Sequence, residues 1–143
     1  KTNGKERTMK FLTEEWGKEF EALMKDTFSP GKTPSKLTLS LCECYNAVPQ
    51  CGGGTVWYLY ILKDGVLTDI KRGEGRENAP AADYTSDCDY EPFVQTMTGE
   101  LNTVKALTSG KIQLKGSLLK ALKMLDTHNV ITECKRLGGR TEW

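Results

Sequence analysis

A single histidine, a Cys-x-Cys pair, a triple glycine and a run of carboxylates are the residues that could carry chemistry here. His128 lies in Asp126-Thr127-His128-Asn129. A serine hydrolase would have to work through this one imidazole, yet no Gly-x-Ser-x-Gly elbow presents a serine to it. Its polar neighbours read as an exposed turn. Cys42-x-Cys44, with Cys51 nearby, invites a zinc or redox reading. Structural zinc needs four ligands, commonly in two closely spaced pairs. Cysteines two apart on a strand share one face, and no second pair or histidine follows, so they read as small buried apolar side chains. Gly52-Gly53-Gly54 leads into a strand, whereas a phosphate-cradling loop opens onto a helix with Lys and Ser/Thr. Gly73-Glu74-Gly75 fails the same test. Residues 74 to 91 carry Glu74, Glu77, Asp83, Asp87, Asp89 and Glu91 against Arg76 alone. Nothing fixes two of these carboxylates in a dry site, and the segment reads as a solvated acidic loop. No catalytic constellation remains: the chain is expected not to be an enzyme and to need no metal or other cofactor.

The most informative stretch is Ser109-Gly110-Lys111-Ile112-Gln113-Leu114-Lys115-Gly116-Ser117, continuing Leu118-Leu119-Lys120-Ala121-Leu122-Lys123-Met124-Leu125. It reads as a short alternating strand, a glycine break capped by Ser117, and a helix whose only polar side chains are lysines. So wide an apolar face needs cover from a core, a lipid or a partner. From Thr103 to Leu125 there are five lysines and no acid, which sets that face in a positive field. A molecule with an apolar body and an anionic head suits both properties.

The elements that must position these residues fit one domain of 143 residues. A net charge of +1 argues against nucleic-acid binding driven by bulk charge. No apolar run approaches the roughly 20 residues that span a bilayer. The segment from Lys1 to Lys10 is hydrophilic and no signal-peptide core follows it. With five cysteines and no secretory signal, reduced thiols in the cytoplasm are the expectation. The ending Thr141-Glu142-Trp143 carries no peroxisomal Ser-Lys-Leu type signal.

Thr13 caps a helix to about Lys25, with Leu12, Trp16, Phe20 and Leu23 on one stripe. Ser29 to Ser35 breaks the chain. Leu37, Leu39 and Leu41 alternate as a half-buried strand. Thr55 to Leu62 is apolar and aromatic throughout, which predicts a central strand; alternation alone leaves open whether Trp57, Leu59 and Ile61 or Tyr58, Tyr60 and Leu62 face the interior. Lys63-Asp64-Gly65 favours a tight hairpin into Val66–Lys71. Tyr84–Cys88 is a weaker strand. Pro92 starts a short helix carrying Phe93, Val94 and Met97, and Asn102 caps another through Leu107. After the strand at Lys111–Lys115 and the leucine-rich helix, Val130, Cys134 and Leu137 keep helical spacing up to Gly138-Gly139. The pattern is α+β, a mainly antiparallel sheet with helices on one face.

The block from Ala82-Asp83 to Leu125 resembles the sterol carrier protein-2 family of small lipid-binding domains. The resemblance rests on Ala82-Asp83 opening a strand, on Met97-Thr98-Gly99-Glu100-Leu101 ending a short helix, and on Ser109 through Ser117 followed by Leu-Leu-Lys-Ala-Leu-Lys. Upstream, Leu62-Lys63-Asp64-Gly65 falls at the family's hairpin and the Trp16 helix at its first helix, so most of residues 10 to 125 is covered. It implies a five-stranded sheet with helices on one side enclosing an apolar tunnel. It also implies binding or transfer of fatty acid, fatty acyl-CoA, phospholipid or sterol. Tunnel walls are then expected from Trp16, Phe20, Leu23, Tyr58, Tyr60, Phe93, Met97, Leu107, Ile112, Leu114, Leu118, Leu122 and Leu125. Lys111, Lys115, Lys120 and Lys123 are expected to meet an anionic head group or a membrane surface. The expected partners are a lipid ligand and, transiently, an anionic membrane, with no nucleic acid. The expected organisation is a flexible segment 1–9, a lipid-binding domain 10–137 and a tail 138–143. The competing readings are an interaction or homodimerisation module without a ligand, and a lipid-presenting accessory to an enzyme.

Overall fold

The computed structural model describes residues 7–116 and 122–143. Thr13 caps the first helix as its residue type predicts: its Oγ1 accepts from the Trp16 amide at 3.3 Å. This helix, α1, runs Glu14–Thr27, with Glu14 and Glu15 facing the positive end of its dipole. Before it lies a two-residue strand, β1 (Met9–Lys10). The main sheet uses β2 (Leu39–Val48), β3 (Gly54–Lys63), β4 (Val66–Glu74), β5 (Tyr84–Asp89) and β6 (Ile112–Lys115). Between β5 and β6 come helices α2 (Tyr90–Thr98) and α3 (Thr103–Thr108), and after β6 comes α4 (Leu125–Lys135). The chain closes with β7 (Thr141–Glu142).

The sheet order is β4-β3-β2-β5-β6. The β2–β3, β3–β4 and β5–β6 pairs are antiparallel, while β5 runs parallel to β2. The sheet is therefore mixed, with β2 at its centre and β3 beside it, because the chain crosses from β4 to the free edge of β2. The Asp64-Gly65 turn has positive φ at both residues, 49° and 82°, as a tight hairpin of this hand requires. Gly65 is also needed sterically, since a Cβ there would stand 1.9 Å from the Ser35 carbonyl oxygen.

Period-two alternation splits the sheet's faces. Leu41, Tyr45, Val56, Tyr58, Tyr60 and Leu62 face the helices and join one large core with Trp16, Phe20, Phe93 and Met97. Cys42, Cys44 and Leu59 face the other way, where Trp57, Ile61, Ala79 and Ala82 cover them. Trp57 lies flat on β4 because residue 73 is glycine: a Cβ there would come within 2.1 Å of the indole. As the spacing of the cysteine pair implies, Cys42 and Cys44 stand side by side, with their sulfurs 3.9 Å apart.

Several expectations are corrected. Helix α2 begins at Tyr90 with Asp89 as its N-cap, so Pro92 is its third residue, where a missing N–H still costs no helical bond. Residues 138–143 are not a tail outside the domain. Met9 pairs with Thr141 and Lys10 with Glu142 in a parallel ladder, the Trp143 ring lies 5.0 Å from that of Phe11, and Trp16 Nε1 donates to Thr141 Oγ1 at 3.0 Å. Met9 is buried for the same reason and so does not belong to the expected flexible segment 1–9, whose residues 1–6 lie outside the described residues. Leu125 belongs to α4 rather than to the leucine-rich segment before it, of which Leu122 and Lys123 are helical. Ser117, Leu118, Leu119, Lys120 and Ala121 lie outside the described residues, as does the predicted Ser117 cap.

Candidate functional site: an apolar cavity and groove beside β6

Three short elements build the site. Asn102 starts α3 by accepting from the amides of Val104 and Lys105 at 2.9 and 3.2 Å. That cap fixes the six-residue helix against β6 and points Leu107 at the sheet's last strand. Ile112 and Leu114 alternate with Gln113 and Lys115, so the two apolar side chains fall on the helix-covered face. The start of α4 brings Leu125, His128 and Asn129 over them.

Between these elements lies a cavity of about 120 Å³ lined by Leu41, Ser86, Thr103, Leu107, Ile112, Leu114, Met124, Leu125, His128 and Asn129. An open groove of about 470 Å³ shares Leu107, Ile112, Leu114 and Leu125 with it and extends past Leu122 and Gly110. The cavity alone is comparable to one that accommodates benzene, at about 150 Å³. The groove falls within the range of small-molecule sites, about 300–1,000 Å³.

The expected tunnel walls divide into two groups. Leu107, Ile112, Leu114, Leu122 and Leu125 line the cavity or the groove; Leu118 lies outside the described residues. Trp16, Phe20, Tyr58, Tyr60, Phe93 and Met97 do not line them and instead fill the interior. Trp16 and Phe20 stack at 4.7 Å, Phe20 meets Tyr58 edge-on at 5.4 Å, and Phe11 stacks on Phe93 at 5.5 Å. Leu23 packs half-buried against the same core. The rings from α1, β3 and α2 interlock at close-packed density, and apolar space is left where the sheet edge is covered by small elements. Among the described residues that space is a cavity and groove, not a passage roofed by α1.

The described lysines expected to meet a head group or a membrane surface lie outside this cavity. Lys115 opposes Thr85 on the face away from Ile112 and Leu114. Lys111 lines a separate open groove with Asn46, Asp87 and Asp89. Lys123 stands beside Asp83 and Tyr84 in another. All three are exposed, and none lines the apolar cavity; Lys120 lies outside the described residues.

Behind the cavity lies a buried ion pair that the sequence did not reveal. Glu43 and Lys135 are 3% and 1% exposed, and Lys135 Nζ donates to Glu43 Oε2 at 2.8 Å. The Tyr60 and Tyr45 hydroxyls donate to Glu43 Oε1 at 2.7 and 3.1 Å. Burial works to raise the Glu43 pKa, but Lys135, His128 and these hydrogen bonds outweigh it and hold the carboxyl below its ordinary range. Burial, and then Glu43, push both tyrosine phenols well up. A lone acid inside the apolar run Leu41-Cys42-Glu43-Cys44-Tyr45 was the one available signal; Lys135 offered none.

His128 is not in an exposed turn. It sits half-buried on α4 against the cavity, and its pKa falls below the ordinary 6.5, because burial disfavours the imidazolium more than Glu43 supports it. Ser86, Thr103 and Asn129 add hydroxyl and amide groups to the same wall. Among the described residues no cluster of His, Cys, Asp or Glu is placed to hold a metal ion. No helix there is long and apolar enough to cross a membrane.

No protein-family model matches the sequence, and no curated protein matches it in sequence. Solved structures do match its fold. A crystal structure of sterol carrier protein 2 superposes with a TM-score of 0.66 at 22% identity, covering 87% of this chain and 95% of that one. The sterol carrier protein domain 2 of Helicoverpa armigera gives 0.56 at 20% identity, covering 92% and 94%. Palmitated SCP2L2 from Aedes aegypti gives 0.50 at 20% identity, covering 80% and 92%. The chain is an α+β domain with the sterol carrier protein 2 fold.

Proposed function

We propose that this sterol carrier protein 2 fold binds a lipid by its apolar tail, in the groove between α3, β6 and α4 with the tail's end in the cavity behind it. The observation that carries the reading is the shared wall of Leu107, Ile112, Leu114 and Leu125, which leaves apolar space open to solvent at the sheet edge. Each methylene withdrawn from water is worth about 0.8 kcal/mol, so a fourteen-methylene tail represents roughly 11 kcal/mol. A bilayer offers the tail a similar environment, so exchange between membrane and protein is nearly balanced, as a carrier requires. The ligand classes in view are fatty acid, fatty acyl-CoA, phospholipid and sterol, and the likeness to palmitated SCP2L2 favours a single acyl chain.

The head group stays at the solvent end of the groove. An anionic head pushed inward would meet Glu43, already matched by Lys135, and a His128 held neutral by burial. Catalysis forms no part of the reading, and the cytoplasm is the compartment where the five unpaired thiols would persist. The test is native mass spectrometry of protein purified without organic solvent, with titration of a fluorescent fatty acid after delipidation. A co-purifying lipid and saturable micromolar binding are expected. Failure of both would refute the proposal.

A further inference from the structure

Four polar residues interrupt the apolar wall of the cavity, and they differ in depth. Thr103 and Asn129 are exposed to solvent. Ser86 and His128 are half-buried, and they share the inner wall with Leu41 and Met124, which are 2% and 5% exposed. Two separate geometries place them there. Strand register sets Ser86 between Glu43 of β2 and Leu114 of β6. Alternation with Tyr84 and Cys88, both in the large core, turns its hydroxyl to the helix-covered face. On the helical side, His128 lies one turn after buried Met124 and two turns before Lys135, so it belongs to the inward stripe that ends on Glu43.

Thr127, one position earlier, shares a hydrogen bond with Ser35 at 2.9 Å. The Ser86 hydroxyl and the His128 ring hydrogen-bond no other described residue and face the cavity. An unpaired hydroxyl and imidazole in an apolar wall are costly, and a ligand that brings the missing partner removes the cost. The His128 pKa lies below 6.5, so at neutral pH one ring nitrogen donates and the other accepts, while the serine hydroxyl does both. Glu43, next to them, is already matched by Lys135. The pair therefore suits an uncharged hydroxyl and offers nothing to a second charge. At about 120 Å³ the cavity is smaller than one that holds benzene, about 150 Å³, so it takes the end of a single chain and not a fused ring system.

We infer that Ser86 and His128 select an acyl chain hydroxylated at its far end, bound tail-first with the ω-hydroxyl between the two side chains. This selection rests on the lipid-binding reading and names the substrate class of that same site. The sign of the preference reports it. In a cavity without polar partners, burying a hydroxyl weakens binding by about fivefold or more; each hydrogen bond made to it strengthens binding by about twofold to tenfold.

The test is competition against a fluorescent fatty acid on the delipidated protein, using hexadecanoic acid, ω-hydroxyhexadecanoic acid and the isomer with its hydroxyl beside the carboxylate. The ω-hydroxy acid is expected to outcompete hexadecanoic acid by about threefold or more, and the isomer is not. Ser86→Ala and His128→Leu are each expected to reverse that order, whereas Ser86→Thr, which keeps a hydroxyl, retains it. Comparing two acids on each variant cancels any general loss of the cavity. A parent that prefers hexadecanoic acid, an advantage shared by the isomer, or a preference that survives both Ser86→Ala and His128→Leu would overturn the inference. Displacement by both acids without an ω-hydroxyl preference sinks the selection alone and leaves lipid binding standing; displacement by neither acid removes both.

Discussion

Replacing Lys135 with Met tests the electrostatic account of the interior most directly. Lys135 Nζ is, among the described residues, the cation bonded to a Glu43 carboxylate that is 3% exposed, and it also lies 5.1 and 5.5 Å from the Phe93 and Tyr45 rings. Methionine fills much of the lysine stem but leaves Glu43 with two tyrosine hydroxyls and without its bonded cation. Breaking a buried pair from one side costs about 3–5 kcal/mol. At about 2.1 cal/mol/K per residue, unfolding of 143 residues carries roughly 0.3 kcal/mol/K, so Tm should fall by about 10–17 °C. The double variant Glu43→Gln/Lys135→Met removes both charges and keeps an acceptor for the tyrosines. It should recover to within about 1–2 kcal/mol of the parent. The pH dependence supplies an independent sign. Without Lys135, burial dominates and the folded-state pKa of Glu43 rises above its unfolded value of 4.5. The single variant then binds the proton more tightly when folded, and its deficit shrinks as pH falls toward 4.5, the opposite of the parent's trend. Thermal melts by circular dichroism and urea titrations from pH 4 to 8 read all of this. A single variant within about 1 kcal/mol of the parent, or a double variant as unstable as the single, would refute the reasoning.

Three further outcomes follow from the geometry. In the parent, the folded pKa of His128 lies below 6.5, so the unfolded chain takes the proton first and stability declines as pH falls through about 6.5; Glu43, also depressed, extends the decline below 4.5. His128→Asn should flatten the upper part of that curve, and an unchanged slope between pH 7 and 5.5 would count against a half-buried imidazole that resists protonation. Leu125→Glu, at a half-exposed site, should change Tm little, yet lower fatty-acid affinity about tenfold or more by placing a charge on the shared wall of cavity and groove. Equal affinity by fluorescence titration would place the ligand elsewhere. Gly73→Ala sets a Cβ 2.1 Å from the Trp57 ring and should cost about 1–3 kcal/mol with a change in indole fluorescence. An unaltered spectrum with parental stability would mean that the indole does not lie on β4 as described.

Much of the fold was legible because its signals are local. The Thr13 and Asn102 caps, the Asp64-Gly65 hairpin and the alternation of Leu39 to Leu41 act over a few residues, where residue type and backbone geometry are directly coupled. The strand at Lys111–Lys115 was legible for the same reason, with Ile112 and Leu114 on one face. The site was only half legible. Leu107, Ile112, Leu114, Leu122 and Leu125 bound the apolar space as the pattern suggested. The aromatic residues did not, because an aromatic on a buried face looks the same in sequence whether it lines a void or fills it. Met124, Leu41, Ser86 and Asn129 carried no signal as cavity residues, since they converge on it from β2, β5 and the start of α4.

The sequence alone determined where α1 and the strands of the main sheet form, which side of β2 and of β6 is apolar, and that positive charge gathers around residues 103–125. Those properties depend on neighbours a few positions away. Tertiary structure decided that β5 returns parallel to β2, that Glu43 meets Lys135 across 92 positions, and that the last strand clasps the first. It also decided that the free apolar space lies at the β6 edge and not beneath Trp16. Each of these turns on which surfaces meet when the layers close, and whether two apolar faces interlock or leave a gap is a property of their combined shape.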